Sequence, residues 1–427
     1  MSYRLNGNSV DRRTFLKGSA AAGGALLGAQ VLGAPAVLAA DGMTLRYLGT
    51  AVNQSADIAK KCKEDTGITI EYIPVTTDEV AKRIITQPNS FDMVDSEYFS
   101  LPNLIPSGNL VGMDAKKIKY ADKLATVLTK GMVDGKMVGM QGTAPAKVFY
   151  LEGEHSAKFA KEQTEWITLI PTTYNADTLG MRPDLIGHEV KHWKALLDPE
   201  FKGRTALINV PSIGIMDAAM AIESAGLMTY GDKGNQTKAE IDFTIDTLIK
   251  AKKAGQFRAF WTDFNESVNL MASGEVVLQS MWSPAVTAVR SKGIKCAYPG
   301  LAEGYRGWAS GFGIPKTTRG KKIDAAYEFV NWFLSGWAGA FLNRQGYYSA
   351  VPETAEEFMK PYEWDFWMEG KPAAQDIHAP DGTLIEKAGA MRDGGSYAAR
   401  MGHVACWNSV MEQNEYMVRK WNQFIAA

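Results

Sequence analysis

Cysteine is scarce in this chain of 427 residues, which contains only three: Cys62, Cys296 and Cys406. They are far apart and none forms a CxxC pair, which argues against a zinc ribbon, a thioredoxin-type motif and a disulfide-dense scaffold. A single disulfide between two of the three stays open. The pattern favours burial of all three as small apolar side chains.

The chain also lacks an excess of charge of either sign, since its formal net charge is -1. Basic and acidic residues are mixed, with no basic run or tail, so neither a nucleic-acid partner nor a charged membrane surface is expected. Beyond the N-terminal region no run of about 18 apolar residues predicts a membrane span. The 46% hydrophobic content suffices for two lobes or for one large domain with insertions.

The N-terminus carries an export pattern. Arg12 and Arg13 precede Phe-Leu-Lys and then a weakly apolar segment rich in Ala and Gly, with small residues before Asp41. This order is typical of a secretory signal, and the paired arginines resemble the twin-arginine (Tat) type, although Asp11 stands where Ser or Thr is usual. We predict that residues 1–40 are a Tat-type signal peptide, cleaved near residue 39–40 after the Tat export machinery delivers the protein to the periplasm.

Most catalytic motifs are missing, and the one present lacks its context. No strand-linked GxGxxG, GxSxG or GxxxxGK[ST] is found, but residues 188–192 read HEVKH, a literal HExxH. A zinc peptidase needs a third protein ligand, yet Ala195 stands where the extended motif has Gly, and Pro199 breaks the candidate helix early. We predict a surface helix that packs Trp193 inward, and no enzyme, cofactor or metal. An exported metal-dependent enzyme is the least favoured alternative.

Strand and helix patterns alternate along the chain. The rhythm runs from residue 44 to residue 97 and resumes from residue 204, which predicts an α/β fold with open sheets. In such sheets ligands bind beyond the carboxyl ends of strands. The candidate walls of a site are therefore the loops that hold Thr50, Ser96, Glu97 and Tyr98.

Three segments resemble one protein family. HWKALLDPEFKGRTALINV (192–210), MASGEVVLQSMWSPAV (271–286) and GWASGFGIPKTTRGKKIDAAYEFVNWFLS (307–335) are similar to segments of bacterial extracellular solute-binding proteins of ABC importers. The resemblance spans most of residues 43–350, and the spermidine/putrescine-binding branch matches best.

The resemblance implies a two-lobed periplasmic-binding-protein fold of type II, in which each lobe is an open mixed sheet flanked by helices. The ligand would lie in the interlobe cleft, and hinge closure would surround it. We place lobe one at residues 43–168 with 307–345, and lobe two at 169–306 with 346–427. The implied partners are a small-molecule ligand and the membrane permease of an ABC transporter, and the protein is expected to be a monomer.

The resemblance also implies residues that line the cleft. Ser96, Tyr98, Trp282, Trp308 and Tyr347 match positions at which the polyamine-binding relatives contact ligand. Trp and Tyr faces attract ammonium groups by roughly 0.5–2 kcal/mol each, which suits an amine-containing ligand. The alternative is that the two tryptophans are ordinary core residues.

Three anionic or aromatic positions of the relatives are replaced here. Ser310 stands where an aspartate is usual, Thr50 replaces a tryptophan, and no acid precedes Asp217 in VPSIGIM. Nearby acids that could compensate a ligand ammonium, or could equally be solvated surface, are Asp95, Glu97, Asp263 and Glu266.

The absence of an acid in VPSIGIM suggests a different ligand. We predict Ser212 as the N-cap of a helix whose free backbone N–H groups point into the cleft. Such a helix start is an anion site. A small organic anion or a zwitterion bound near Ser212 is therefore the alternative to a polyamine or other amine.

Overall fold

The computed structural model describes residues 42–427. The predicted signal peptide and its cleavage site lie outside these residues. Within them, no helix combines the length and the apolar character that a membrane crossing requires. All three cysteines are buried, as predicted, and all three are free, so the disulfide that the sequence left open is not formed.

Three parallel strands separated by helices begin the described chain. They are β1 (Thr44–Gly49), α1 (Ala56–Thr66), β2 (Thr69–Pro74), α2 (Thr77–Thr86) and β3 (Met93–Glu97). Strand β1 lies between β2 and β3 and pairs in parallel with both. Ser55 caps α1 by accepting the N–H of Asp57, and Gly67 ends that helix in the left-handed conformation.

Short elements follow between residues 88 and 167. The 3₁₀ turns are Pro88–Ser90, Tyr98–Ser100, Ile105–Ser107, Ala115–Lys117, Ala121–Lys123 and Pro145–Lys147, and the α-helical turns are Leu101–Leu104 and Thr126–Thr129. Two-residue strands are Leu110–Val111, Met113–Asp114, Met132–Val133, Lys136–Met137, Gln141–Gly142 and Trp166–Ile167.

Two long strands join this region to a second group of parallel strands. In chain order the elements are β4 (Ile170–Met181), β5 (Thr205–Ile208), α3 (Pro211–Ser224), α4 (Lys238–Lys253), β6 (Phe257–Trp261), α5 (Phe264–Ser273), β7 (Leu278–Met281), α6 (Ser283–Arg290) and β8 (Tyr305–Pro315). The strands form one continuous sheet in the order β6-β5-β7-β4-β8-β3-β1-β2. The long strands β4 and β8 are antiparallel to each other and are shared by both lobes.

The strand directions define a cleft between the lobes. Strand β7 is antiparallel to β4, so β7 and its parallel neighbour β5 run in the same direction as β8, as does β6 beside β5. Strand β3 is antiparallel to β8, so β3, β1 and β2 run the opposite way. The carboxyl ends of the two groups therefore point toward each other, and both sets of loops border the space between the lobes.

The C-terminal part of the chain contributes to both lobes. Its elements are α7 (Lys321–Leu334), α8 (Trp337–Asn343), β9 (Tyr348–Ser349), Pro352–Glu356, α9 (Pro361–Trp367), Ile377–His378, Leu384–Glu386, Tyr397–Met401, β10 (Val404–Trp407) and α10 (Asn414–Ala426). Buried hydrophobic residues between 348 and 404 belong to the core of the first lobe, whereas Met417, Trp421 and Phe424 pack in the core of the second. The predicted boundaries assign all of 346–427 to lobe two; on these contacts we propose that residues 348–404 go with lobe one.

The HExxH segment does not form the predicted helix. Gly187, in the left-handed conformation, ends the short helix Pro183–Ile186, and residues 188–192 follow as a loop. A 3₁₀ helix, Trp193–Leu197, comes next and buries Trp193, as predicted. The prediction of a surface helix over the histidines is therefore wrong, because the glycine ends one helix and the next begins only at Trp193.

The two histidines of this segment contact different carboxylates. His188 Nε2 lies 2.5 Å from Glu200 Oε1, and His192 Nδ1 lies 2.8 Å from Glu303 Oε1. Within residues 42–427 no group of three or more His, Cys, Asp and Glu side chains is arranged to hold a metal ion.

Candidate functional site

Two aromatic side chains lie on the floor of the cleft, where the crossing strands pass between the lobes. Trp308 of β8 is half-buried, and its ring meets that of Tyr347 edge-on at 5.9 Å. On β4, Asn175 is in register with Trp308 and donates its side-chain N–H to the carbonyl of Gly346 at 3.0 Å. This hydrogen bond fixes the turn before Tyr347, so the two predicted aromatic residues are brought together.

Glu97 is the acidic side chain at the end of β3, beside this floor. It is in register with Ser310 of β8, is half-buried, and accepts a hydrogen bond from Thr77 Oγ1 at 3.1 Å. Desolvation raises the pKa of Glu97 to about 8, and the nearby Asp95 carboxyl adds to the rise. Among the described residues no Lys or Arg forms an ion pair with it, so Glu97 is available to a cationic ligand.

A buried polar network underlies Glu97. Asn53 Nδ2 donates to Asp95 Oδ2 at 2.5 Å and to Thr172 Oγ1 at 3.0 Å. Ser310 Oγ lies 2.9 Å from Thr172 Oγ1 and 3.3 Å from Thr173 Oγ1. Burial raises the pKa of Asp95 to about 6, although these hydrogen bonds oppose the rise. The predicted residue Ser310 therefore belongs to this network. Asp95 already accepts hydrogen bonds within it, so little of its hydrogen-bonding capacity is left for a ligand.

A buried ion cluster lies at the second-lobe end of the same face of β8. Arg306 donates to Asp217 at 2.7 Å and to Asn408 at 2.6 Å, and lies 3.7 Å from Asp177. Burial raises the pKa of Asp177 to about 6, although Arg306 opposes the rise. The cluster ties β8 to α3 and pairs both carboxylates with one guanidinium group, so Asp217 is not free to recognise an ammonium group.

The wall from the second lobe also carries tryptophan. Trp282 directly follows β7, is half-buried, and meets the ring of Trp261 at the end of β6 edge-on at 4.8 Å. Because β6 and β7 end at the same sheet edge, both tryptophans border the cleft, with Trp261 buried behind Trp282.

The helix start predicted as an anion site is uncapped, but its boundary differs from the prediction. Val210 is the N-cap of α3 and Pro211 is its first residue, which places Ser212 one position inside the helix. The prediction of Ser212 as N-cap is therefore wrong, since proline with its fixed φ fits the first helical position. No side chain caps α3 and no acid lies in its first turn. The first hydrogen bonds of the helix are those from the N–H groups of Ile213 and Gly214 to the Val210 carbonyl. The N–H of Ser212 precedes them and has no acceptor within the helix.

Asp263 caps the start of a helix. Its side chain accepts the N–H groups of Asn265 and Glu266 at 2.8 and 3.0 Å, while Glu266 reaches back to the N–H of Asp263. This reciprocal pair is a capping box at the start of α5. Both carboxylates are exposed, so we leave them out of the proposed ligand site.

The remaining predicted residues, which are Thr50, Ser96 and Tyr98, differ in whether they face the cleft. Thr50 follows β1 and is half-buried at the carboxyl end of that strand. Ser96 is buried and alternates with Glu97 along β3, so it faces the opposite side of the sheet. Tyr98 is in the core, where its hydroxyl donates to the Leu169 carbonyl at 2.6 Å and its ring stacks on Phe149. We leave Ser96 and Tyr98 out of the proposed ligand site.

Several residues of the site were not identified from the sequence. Their role depends on strand register and on contacts between distant segments, which no local motif records. They are Asn53, Thr77, Thr172, Thr173, Asn175, Asp177, Trp261 and Arg306.

Comparison with known proteins gives a family match and a set of structural neighbours. A family model described as bacterial extracellular solute-binding protein matches residues 57–365. No curated protein matches the chain.

Solved structures with this fold cover almost the whole chain. A spermidine/putrescine ABC transporter substrate-binding protein from Streptococcus pneumoniae is 16% identical, with a TM-score of 0.60 over 90% of this chain and 99% of its own. A protein described as a GABA receptor is 19% identical, with a TM-score of 0.57 over 89% of this chain and 97% of its own. A binding protein from A. tumefaciens in complex with glucopine is 13% identical, with a TM-score of 0.57 over 90% of this chain and 99% of its own.

Proposed function

Because this chain belongs to the family of bacterial extracellular solute-binding proteins, we propose that it captures a small amine-containing solute and delivers it to the membrane permease of an ABC importer. The family consists of binding proteins, which confirms the prediction that the chain is not an enzyme. The neighbours named for spermidine/putrescine, GABA and glucopine support an organic solute with nitrogen as the cargo.

One arrangement carries the choice of an amine: the Trp308–Tyr347 pair lies on the same cleft floor as the unpaired carboxyl of Glu97. Aromatic faces attract an ammonium group, and a carboxylate in a partly desolvated site provides its counter-charge. An ammonium group that binds there would favour the ionised form of Glu97 and release its proton.

The number of free carboxylates favours a single ammonium group. Asp177 and Asp217 are engaged by Arg306, and Asp95 is held in the buried network, which leaves Glu97 alone on the floor. The second ammonium group of a diamine would lack a partner, and an unpaired buried charge is expensive. We therefore favour a solute with one ammonium group over a polyamine.

A second candidate is a zwitterion, which the start of α3 supports. The unengaged N–H of Ser212 and the absence of an acid in the first turn leave this helix end free to accept a carboxylate. A solute with its ammonium group at Glu97 and its carboxylate at α3 would contact both lobes. Such contacts would hold the lobes closed around the solute. The closure itself would come from bending of the crossing strands β4 and β8.

The experiment that tests the proposal is a matched series of four-carbon ligands: butylamine, putrescine, γ-aminobutyrate and butyrate. Thermal unfolding and tryptophan fluorescence are measured with each. Stabilisation by butylamine or γ-aminobutyrate, with weaker binding of putrescine, supports a single ammonium group. Binding of butyrate without binding of any amine contradicts the proposal and leaves α3 as an anion site.

The route to the site of action is also part of the proposal. The family is extracellular, which agrees with the export pattern at the N-terminus. We propose cleavage near residue 39–40, transport by the Tat machinery and a monomeric periplasmic protein. N-terminal sequencing of the protein from a periplasmic fraction, in cells with and without the Tat machinery, tests this directly.

A further inference from the structure

Two buried arginines lie on the side of the crossing strands that faces away from Trp308. Tyr174 of β4 and Tyr305 of β8 alternate with the cleft-facing residues and therefore point to the opposite face. Arg392 and Arg400, from the C-terminal part of lobe one, pack here and are only 8% and 2% exposed.

Neither arginine has a carboxylate partner within the described chain. Arg392 donates to the carbonyl of Trp367, and Arg400 donates to the carbonyls of Ala176 at 2.9 Å and Asp393 at 3.0 Å. Their guanidinium groups also stack on rings: Arg392 lies 4.9 Å from the Tyr348 centroid. Carbonyls and rings compensate only part of a buried positive charge, because neither carries an opposite full charge.

The same region contains donors without acceptors. Within residues 42–427, no hydrogen-bond partner is found for Trp367 Nε1, Arg400 Nε or the hydroxyls of Tyr305 and Tyr348. The indole and guanidinium nitrogens can only donate. A group that satisfies them must accept hydrogen bonds, and beside two unpaired arginines it is favoured if it is negative.

A small cavity lies between two of these residues, Trp367 and Arg400, and the second lobe. It measures about 30 Å³ and is lined by Trp367, Arg392 and Arg400, and by Ser283 and Thr287 of α6. This volume accommodates a monatomic ion or one or two waters, whereas an organic solute is too large.

The acids on the cavity wall are already engaged in ion pairs. Glu386 and Asp393 line it, but both form ion pairs with Arg290 of α6, which also lines it. Three guanidinium groups and two carboxylates therefore leave one uncompensated positive charge at the cavity.

We propose that Arg392 and Arg400 hold a small inorganic anion of the halide class in this cavity. The anion accepts hydrogen bonds from the unsatisfied donors of the residues that line the cavity, Trp367 and Arg400, and bridges the C-terminal part of lobe one to α6 of lobe two. This site is separate from the amine site on the cleft floor and does not depend on it.

The test replaces chloride by bromide and uses crystals and thermal unfolding of the purified protein. Crystals grown in bromide should show an anomalous peak beside Arg392 and Arg400. In solution, replacing gluconate with chloride at constant ionic strength should raise the melting temperature by roughly 3 °C with saturation, because ligand binding stabilises the folded state. Gluconate is too large for the cavity.

Variants separate this site from general salt effects. Arg392→Met should abolish the chloride-dependent shift. Arg419→Met should retain it, because Arg419 also stacks on a ring, that of Tyr416 at 5.8 Å, but is exposed. Arg392 also lies 5.0 Å from the Trp367 ring centroid. Trp367→Phe keeps an aromatic ring there and removes one N–H, so chloride affinity should fall about fivefold. This milder variant serves if Arg392→Met does not fold.

Either of two results would overturn the proposal. One is a bromide crystal with no anomalous peak in the cavity or with density for water only. The other is the same melting temperature in chloride and gluconate for the unmodified protein.

Discussion

Glu97 is the residue on which the proposed amine site depends. It combines partial burial, one hydrogen bond from Thr77 and no basic partner among the described residues. The nearby carboxylates of Asp177 and Asp217 are both paired with Arg306. A single carboxyl with a pKa near 8 therefore makes binding sensitive to pH in the neutral range.

Glu97→Gln should weaken binding of the amine ligand ten- to a hundredfold, since a hydrogen bond to a charged group contributes about 1.5–3 kcal/mol. In the unmodified protein, affinity should rise as pH increases from 6 to 8, because only the ionised Glu97 attracts an ammonium group. The variant should show no such pH dependence. Isothermal titration calorimetry across this range measures both effects.

The matched control for Glu97→Gln is Glu71→Gln, an exposed glutamate of β2 in the same lobe. It should retain both affinity and pH dependence. Equal affinity of the Glu97 variant and the unmodified protein would remove Glu97 from the site.

Trp308→Leu should reduce affinity for the amine ligand by roughly three- to thirtyfold, because it removes an aromatic face worth about 0.5–2 kcal/mol to an ammonium group. Trp337→Leu is the control: this residue stacks on Phe341 in α8, away from the crossing strands. Fluorescence or calorimetric titration measures the affinities. A similar loss in both variants would indicate a general structural effect.

At the scale of elements, two helices begin at the cleft edge, and their N-termini differ. Helix α5 is capped by Asp263 and Glu266 in a reciprocal pair, whereas α3 begins at Pro211 with no capping side chain and no acid. Capped N–H groups are satisfied within the protein, while uncapped ones are available to a ligand. The local sequence of each helix start thus decides which of the two can contribute to binding.

Ser212→Asp should distinguish a zwitterionic ligand from a simple amine. The added carboxylate should stabilise α3 by about 0.3–1 kcal/mol through the helix dipole, yet repel a ligand carboxylate from the same end. We expect tighter or unchanged binding of butylamine and weaker binding of γ-aminobutyrate. Ser212→Asn, which adds similar volume without charge, is the control. Equal effects on the two ligands would argue against a carboxylate at α3.

Asp263→Ala should cost about 1 kcal/mol of unfolding free energy through loss of the cap, without changing ligand affinity. Asp263→Ser removes the charge but keeps an oxygen that can accept the helix N–H groups, so it should retain most of the stability. Denaturant unfolding and ligand titration together check this. Weaker binding in both variants would return Asp263 to the ligand site.

At the scale of the whole molecule, the crossing strands β4 and β8 join two lobes and place carboxyl groups where they meet. Burial raises the pKa of Asp95 to about 6 and that of Glu97 to about 8. Both carboxyls bind protons more tightly in the folded state than in the unfolded chain. Their contribution to stability is therefore greatest at low pH and is lost as pH rises through the folded-state pKa values.

Without ligand, the protein should be more stable at pH 5.5 than at pH 8. A saturating amine should reduce this difference, because it stabilises ionised Glu97. Glu97→Gln should reduce the change in unfolding free energy between about pH 6 and 8, since the change in this range follows the Glu97 pKa. Denaturant unfolding at fixed ionic strength measures the profile. Stability that rises steadily from pH 5.5 to 8 would contradict this assignment.

The fold class and the family were accessible from the order of the amino acids alone. Alternating strand and helix patterns are local, and residues 192–335 carry recognisable family segments, so both could be predicted without contacts. Trp282 and Trp308 also lie within those segments, and their role in ligand binding stays a prediction, as does that of Tyr347. The export signal stays a prediction, because residues 1–41 lie outside the described structure.

Which polar groups face the cleft depends on contacts between distant parts of the chain. The register of β3 against β8 directs Glu97 to the floor and Ser96 to the other side, a choice that alternation alone leaves open. The cap at Asp263 and the position of Ser212 inside α3 follow from where each helix begins. The pairing of Arg306 with Asp217, and the gathering of Arg392 and Arg400 behind the crossing strands, join residues far apart in sequence. Such contacts exist only once the chain has folded, because no local pattern encodes them.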